Sequence, residues 1–448
     1  MLIMFKTFFH HFSKKIIEIK FLVIIIMAVL IIDMEISNEA HLIDQYISSD
    51  IGVLIFNLVS VTYLISQQII LSYSLKRHIQ VQIESASFRS IQRLINFMIL
   101  LLIICFLTII LQITISKYYD TIFLLLILGI SNSITVIAMF NIGIKFFSWY
   151  KSRRKSSMLV FAAMSCTMGI TALITILFMG SILVNQPGKI DSDYDVVLPT
   201  IAEDSKLLIL NYFYYYLSIF SFILTWIMTS LLLRDYSVKL GKIRYWIFLS
   251  LPLAFYLSQI LVTQFGFFIP EQDSDQLSFS FWFLFLYTLS SPIGGILFSL
   301  PYFLVMKKMD IDRSLRSYMK ILAYALLLFF AAGSATVYHT PYPPFGLSTV
   351  SITGPSSYLI AIGVYYSARL IASNRTIENQ LRTSSKYSQF FTGIGSAEME
   401  HAMTELIEQI RKKLPTDIDK TSQDLQLVDT EIMEFLKKYQ SRKKYKNN

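Results

Sequence analysis

The sequence predicts an all-α integral membrane protein: a bundle of about ten transmembrane helices followed by a cytoplasmic helical C-terminal tail. Of its 448 residues, 54% are hydrophobic and only 15% are charged, whereas a soluble domain carries about a quarter charged residues. The apolar residues fall into uncharged runs of about 20 residues, which is the length that crosses a bilayer as a helix. These runs do not alternate in polarity as barrel strands would, so helices are expected.

Ten apolar runs follow one another along the chain. We expect them to form a transmembrane domain over residues 1–372, with the cytoplasmic tail at 373–448. The first run is the weakest, and a basic start before a short apolar stretch also suits a cleaved signal peptide. No A-x-A site follows it, so we expect an uncleaved span. The expected spans are 16–32, 51–75, 94–115, 121–147, 157–184, 207–233, 245–268, 279–305, 321–338 and 356–372.

The basic residues predict the orientation of these spans. Lys and Arg concentrate in every second loop, as in the KSRRK run at 151–155, whereas the other loops are mainly acidic, as at Asp191 and Glu271. Because positive residues favour the cytoplasmic side, we expect a multi-pass protein of the cell membrane with both termini in the cytoplasm. The net charge of +9 then reflects topology and attraction to the lipid bilayer. A nucleic-acid partner is not expected, because the charge is not gathered with aromatic residues on one face.

The spans contain neutral polar residues and no acidic residue deep inside them. Ion-coupled carriers usually need carboxylates within the membrane, so an ion-driven transporter is disfavoured. In the eighth span Pro292, next to Ser291, is expected to kink the helix, and broken helices often line transporter binding sites. Together with Asn132 and Gln259, these residues are candidates for a mid-membrane cavity. Helix packing without a cavity is the simpler interpretation.

One outer loop, residues 338–358, is rich in proline and carries no Asp, Glu, Lys or Arg. The segment is too broken for a helix, and its TPYPPFG stretch favours an extended path. Because it is uncharged and aromatic, we expect it to pack on or dip into the mouth of the bundle, since unpaired backbone is not tolerated in lipid. His339, Tyr342 and Phe345 are therefore candidates for contact with a ligand at the outer face. A tight hairpin at the membrane interface is the alternative.

The spacing of apolar residues in the tail predicts further helices. Residues at a spacing of seven from Leu370 onward suggest that the last span continues as a cytoplasmic helix until Gly393 and Gly395 break it. Two amphipathic helices follow, at about 397–414 and 422–439. Their apolar sides would be stranded in water on isolated helices, so we expect them to hold a cytoplasmic protein partner or to self-associate. The candidate residues of this surface are Leu406, Ile410, Leu425, Ile432 and Phe435.

The segment YYSARLIASNRTIENQLRTSSKYSQFFTGIGSAEMEHAM, residues 365–403, resembles the juxtamembrane tail of uncharacterised polytopic membrane proteins of ammonia-oxidising archaea. The multi-span layout before it is similar as well. The resemblance implies a membrane protein with a signalling-like tail. That group has no established activity, so the resemblance implies no site residues.

The sequence favours a receptor-like or scaffold protein that passes a change at its outer face to a cytoplasmic partner through the C-terminal helices. A facilitator-type transporter of a neutral or organic solute is the alternative. The sequence contains no Gly-rich phosphate loop, nucleophile elbow or HExxH zinc motif. An enzyme is therefore not expected, and neither is a cofactor or a metal.

Overall fold

Most of the apolar part of the chain is described by a computed structural model. Within the described ranges the chain is almost entirely helical. These ranges are 19–38, 47–78, 86–184, 188–191, 205–234, 241–265, 292–304, 306, 313–332, 342–374, 393–401 and 403–404.

The helices follow the apolar runs of the sequence, because a helix satisfies all of its backbone polar groups within one segment. In chain order they are α1 (Ile19–Asn38), α2 (Asp50–His78), α3 (Ala86–Ser116), α4 (Thr121–Arg153), α5 (Ser156–Val184), α6 (Ser205–Leu233), α7 (Lys242–Phe265), α8 (Pro292–Leu304), α9 (Arg313–Ala331) and α10 (Leu347–Ser373). Residues 393–401 form a further helical stretch, which we call the tail segment.

Seven of the described helices are long and apolar enough to cross a membrane: α2, α3, α4, α5, α6, α9 and α10. Large apolar side chains cover the outside of the described bundle, among them Leu54, Phe97 and Leu111. Such a surface suits lipid and not water. The prediction of an all-α membrane protein is confirmed at this level.

A short antiparallel sheet joins two loops at one end of the bundle, which we call the sheet end. Strand β1 (Tyr118–Asp120) precedes α4, and it pairs with β2 (Lys189–Asp191), which follows α5. The side chain of Asp120 accepts a hydrogen bond from the N–H of Ile122 and so caps α4. The sequence predicts that this end faces outward.

Helix α10 lies at the centre of the bundle, packed along α4 and α9. It begins at Leu347, so the prediction that residues 338–358 are too broken for a helix is wrong for 347–358. The hydroxyl groups of this stretch donate to carbonyl groups of their own helix, as Ser351 does to Ser348 and Ser357 to Gly354. A Ser- and Thr-rich segment can therefore stay helical in an apolar interior, because most of its hydroxyl groups bond to carbonyl groups of the same helix.

Pro355 lies inside α10 and removes one hydrogen bond from it. The carbonyl freed by the proline is that of Ser351, four residues earlier. The Ser131 hydroxyl of α4 lies 2.7 Å from the carbonyl oxygen of Val350 and 3.3 Å from that of Ser351. The hydroxyl of a neighbouring helix thus contacts the carbonyl groups near the position where the proline removes a hydrogen bond. Interior prolines in membrane helices are tolerated through such contacts.

Two helix ends differ from the sequence prediction. Helix α1 continues past residue 32 to Asn38 and carries Asp33 into the interior, where it is 0% exposed. The predicted end of the first span at residue 32 left Asp33 outside the helix, whereas the structure places this carboxylate within the helix and buries it. Helix α10 ends at Ser373, and Asn374 is extended, so the predicted helical continuation from the last span into the tail is also wrong at that residue.

Candidate functional site

A carboxylate from another helix holds the N-terminus of α10. Asp33 of α1 accepts hydrogen bonds from three backbone N–H groups and one hydroxyl at this point. The donors are the N–H groups of Gly346 (2.9 Å), Ser348 (2.9 Å) and Thr349 (3.2 Å), and the hydroxyl of Thr349 (3.3 Å). These N–H groups have no partner within a helix, and a negative charge is favoured at the positive end of the helix dipole. Asp33 therefore fixes where α10 begins and ties α1 to it.

Two of the predicted outer-face contacts lie inside the bundle. Tyr342 is 2% exposed, and its hydroxyl donates to the carbonyl of Ile113 in α3 at 3.4 Å. Phe345 is 1% exposed and packs edge-on against Phe56 of α2, with ring centroids 5.5 Å apart. This packing agrees with the expectation that the segment dips into the mouth of the bundle. Contact of these rings with an outer ligand stays a prediction, and His339 lies outside the described residues.

Small residues bring α4 and α10 into close contact. A Cβ added at Gly354 would lie 2.6 Å from the carbonyl oxygen of Ser131, so only glycine fits there. The Ser131 hydroxyl accepts from the N–H of Gly354 (3.0 Å) and lies 2.8 Å from the hydroxyl of Thr353. One turn further along, the hydroxyl oxygens of Ser357 and Thr135 lie 3.3 Å apart. Backbone approach and hydroxyl pairing together hold the two helices in one register.

Beside this contact, residues of α4, α5, α6, α7, α9 and α10 line a cavity of about 150 Å³. It lies toward the sheet end, because α10 contributes its first turns (Val350 and Thr353) and α4 its first half (Leu128 and Asn132). The described lining residues include no Asp, Glu, Lys, Arg or His. Its polar lining is neutral and includes Asn132, Thr171, Thr175, Tyr214, Ser218 and Ser221.

The hydroxyl and amide groups of this wall leave hydrogen-bonding capacity for a guest. Thr171 and Thr175 each donate to the carbonyl four residues earlier in α5, at 2.9 Å, so their oxygens face the cavity as acceptors. The Asn132 amide nitrogen donates to the carbonyl of Leu128 at 3.0 Å, which leaves the Asn132 carbonyl oxygen as an acceptor. The Ser218 hydroxyl pairs with another wall residue, Tyr256, at 2.9 Å.

Aromatic rings form another part of the wall. Phe222 of α6 stacks on Tyr256 of α7 with centroids 4.1 Å apart and meets Phe330 of α9 edge-on. Helix α8 lies directly behind this wall: a Cβ at Gly294 would be 3.3 Å from the Phe222 ring, and one at Gly295 would be 2.9 Å from a backbone carbonyl of α9. The absence of side chains at Gly294 and Gly295 therefore allows α8 to pack closely on its neighbours.

Of the four residues that the sequence analysis grouped around a mid-membrane cavity, the structure describes the side chains of two, Asn132 and Pro292. Asn132 lines the cavity described above. Pro292 is buried in α8 and is not among the lining residues. Ser291 and the side chain of Gln259 lie outside the described part of the chain. The cavity sits beside the close contact of α4 with α10, not at the proline of α8.

The tail segment packs against the end of α4 that lies opposite the sheet end. Glu398 is 7% exposed and accepts a hydrogen bond from the indole N–H of Trp149 at 2.9 Å. The hydroxyl of Ser152 donates to Glu400. Both carboxylates thus lie next to the basic 151–155 run that the sequence analysis placed in the cytoplasm.

The tail segment also contacts the end of α10. A Cβ at Gly395 would overlap the side chain of Ile371, so the absence of a side chain permits this contact. Gly393 and Gly395 lie inside the helical stretch, and the prediction that they break a helix is wrong for Gly395. The predicted partner surface lies outside the described residues; its members are Leu406, Ile410, Leu425, Ile432 and Phe435.

Sequence reasoning missed most of the cavity wall. Thr171 and Thr175 are four residues apart and so share one face of α5, a spacing that signals a polar stripe in an apolar helix. Tyr214 belongs to the NYFYYY run at 211–216, a pattern that is typical of the aromatic belt at a membrane surface. Its neighbours Tyr212 and Tyr216 are 43% and 58% exposed, whereas Tyr214 turns into the cavity.

Comparisons with protein-family models, curated proteins and solved structures find no match to this chain.

Proposed function

We propose that the chain is a receptor-like protein of the cell membrane with ten spans and both termini in the cytoplasm. Seven helices of sufficient length support this topology, and α1, α7 and α8 coincide with the remaining three apolar runs. The alternation of basic and acidic loops supports the orientation. The tail segment then lies at the cytoplasmic face, and the sheet end faces outward.

One observation carries the receptor proposal: the helices that line the cavity also hold the tail segment. Helix α4 contributes Asn132 to the cavity and Trp149 to the tail contact, about 26 Å apart along the helix at 1.5 Å per residue. Helix α10 contributes Thr353 at one end and contacts the tail segment through Ile371 at the other. A change in the spacing of α4 and α10 at the cavity would therefore reach the tail directly.

The physical basis is a difference in ligand affinity between two arrangements of these helices. A ligand shifts a conformational equilibrium only as far as it binds one state better than the other. The close contact at Gly354 and Ser131 leaves no slack between the helices, and a close-packed interior transmits displacement. The tail residues beyond 404, including Leu406 and Ile410, would present the result to a cytoplasmic protein partner.

The receptor proposal can be tested by placing a larger side chain in the cavity. Ala172 of α5 is buried and lines the cavity, whereas the adjacent Leu173 is 45% exposed on the outside of the bundle. We expect Ala172→Phe to change deuterium uptake of residues 393–401 several-fold in the full-length protein in lipid nanodiscs. Leu173→Phe adds a ring of the same kind toward lipid and should leave that uptake unchanged.

A facilitator-type transporter is the second candidate, favoured by the neutral polar lining of the cavity. The same pair of variants distinguishes the two functions. If Ala172→Phe leaves tail exchange unchanged but slows entry of a neutral solute such as glycerol into proteoliposomes, the receptor proposal is wrong and transport is supported. A change in tail exchange without any solute flux in the unmodified protein supports the receptor.

A further inference from the structure

The chemistry of the cavity wall restricts what can bind there. Building on the proposal that this cavity is the ligand site, we infer that it takes a small uncharged molecule with a hydroxyl or amide group and a flat apolar part. Moving a charge into such a site would cost far more than moving a neutral polar group, since the described wall offers no counter-charge.

The polar side of the wall requires a ligand that both donates and accepts. The hydroxyl oxygens of Thr171 and Thr175 are available as acceptors, because the hydroxyl proton of each is used within α5. The carbonyl oxygen of Asn132 is a further acceptor, since only its amide nitrogen bonds within α4. The hydroxyl of Tyr214 forms no hydrogen bond with another described residue; its ring stacks on Phe178 with centroids 5.9 Å apart. It is therefore a donor available to the cavity. A hydroxyl or primary amide is the simplest group that satisfies both kinds of partner.

The aromatic side of the wall favours a flat apolar group. Phe222 and Tyr256 are nearly parallel, with an interplanar angle of 5°, and Phe330 stands at 85° to Phe222. A planar group can stack on or meet the edges of these rings, as aromatic groups prefer. Because Gly294 lets α8 pack against the back of Phe222, the wall is supported and not free to collapse into the space.

The volume of the cavity suits a ligand of about the size of a substituted benzene. A cavity of roughly 150 Å³ in another protein stays dry and binds benzene when its lining is wholly apolar. This cavity has about the same volume, 150 Å³, but mixes aromatic and hydroxyl groups. A hydroxyl on the ring's substituent would reach the polar side while the ring occupies the apolar side.

Four probes of nearly equal size test the inference: benzyl alcohol, toluene, benzylammonium and benzoate. We expect benzyl alcohol to bind saturably to the full-length protein in nanodiscs. Saturation-transfer NMR measures this binding, with empty nanodiscs as the reference. Binding of toluene should be at least fivefold weaker, and the two ions should not bind saturably. Equal affinity for toluene and benzyl alcohol, or saturable binding of either ion, overturns the inference, and so does the absence of saturable benzyl alcohol binding.

Variants locate the binding. Tyr214→Phe keeps the ring stacked on Phe178 and removes only the hydroxyl, and Asn132→Leu removes the amide; each should weaken benzyl alcohol binding at least fivefold. Ser181→Ala is the matched control, because Ser181 also donates within α5 but is exposed on the outside. Unchanged binding in both cavity variants places the probe elsewhere and overturns the inference. The binding measurement does not depend on the tail. If benzyl alcohol binds as expected but Ala172→Phe leaves deuterium uptake of residues 393–401 unchanged, the receptor proposal is wrong and the inference about the ligand still stands.

Discussion

Helices α3 and α10 are of similar length and both cross the bundle, but they differ in opposite directions in hydropathy and in burial. Helix α3 is the most apolar of the seven membrane-length helices, but only 39% of its most apolar 18-residue window is buried inside the protein. Helix α10 is among the least apolar, with six Ser and Thr residues between 348 and 357 alone, and 89% of the corresponding window is buried. The most apolar helix faces lipid, and the most hydroxyl-rich one lies in the centre.

The difference follows from the absence of a hydrophobic drive between helices in lipid. Lipid tails are as apolar as Leu, so apolar side chains gain little by leaving them, and association relies on close packing and interhelical hydrogen bonds. Helix α10 has both, through Gly354 against Ser131 and through Ser351 on Tyr63 at 2.7 Å. Helix α3 presents Phe97, Leu107 and Leu111 outward. The comparison predicts that changes in α10 contacts matter far more than equal changes in α3.

The largest effect is expected at Asp33, which anchors α10. Asp33→Ala would leave three buried N–H donors at the start of α10 without their acceptor. Each such loss costs about 1–3 kcal/mol, so we expect the free energy of unfolding to fall by roughly 3 kcal/mol or more. Chemical denaturation in detergent micelles measures this change.

Asp50→Ala is the control for the loss of a carboxylate near a helix start. Asp50 begins α2 and pairs with Lys117, but its side chain is 90% exposed. An exposed pair contributes little, so the unfolding midpoint should barely move. Equal losses for the two variants would show that Asp33 does not anchor α10.

The second effect separates interior from lipid-facing packing. Ile362 of α10 is 0% exposed, whereas Ile104 of α3 is 50% exposed. We expect Ile362→Ala to lower the free energy of unfolding by roughly 2–4 kcal/mol through the cavity it leaves. Ile104→Ala makes the same chemical change where lipid fills the gap, and it should cost only a small fraction of that amount. Similar costs at the two positions would contradict the contrast between the helices.

The same contrast explains how far sequence reasoning reached. Hydropathy predicted the membrane class correctly, because the sequences of lipid-facing helices such as α3 are almost wholly apolar. The start of α10 was missed, because Gly354, Pro355 and the surrounding hydroxyls look unsuited to a helix when read alone. Asp33 was missed for the same reason: its hydrogen-bond partners lie more than 300 residues away in the chain. Asn132 was found because an amide within an apolar run stands out.

The smallest of the three effects tests the close approach of α10 to α4. A Cβ at Gly354 would lie 2.6 Å from a backbone oxygen of α4, whereas a Cβ at Gly129 on α4 would meet nothing within 4 Å. Gly354→Ala must therefore push two helix backbones apart, and we expect it to cost roughly 1–3 kcal/mol of unfolding free energy. Gly129→Ala should be neutral or stabilising by up to about 1 kcal/mol, because alanine favours the helix more than glycine does. If Gly354→Ala were as benign as Gly129→Ala, then backbone contact would not hold α10 in the centre. The hydroxyl bonds of Ser131, Thr353 and Ser357 would then have to supply the stability.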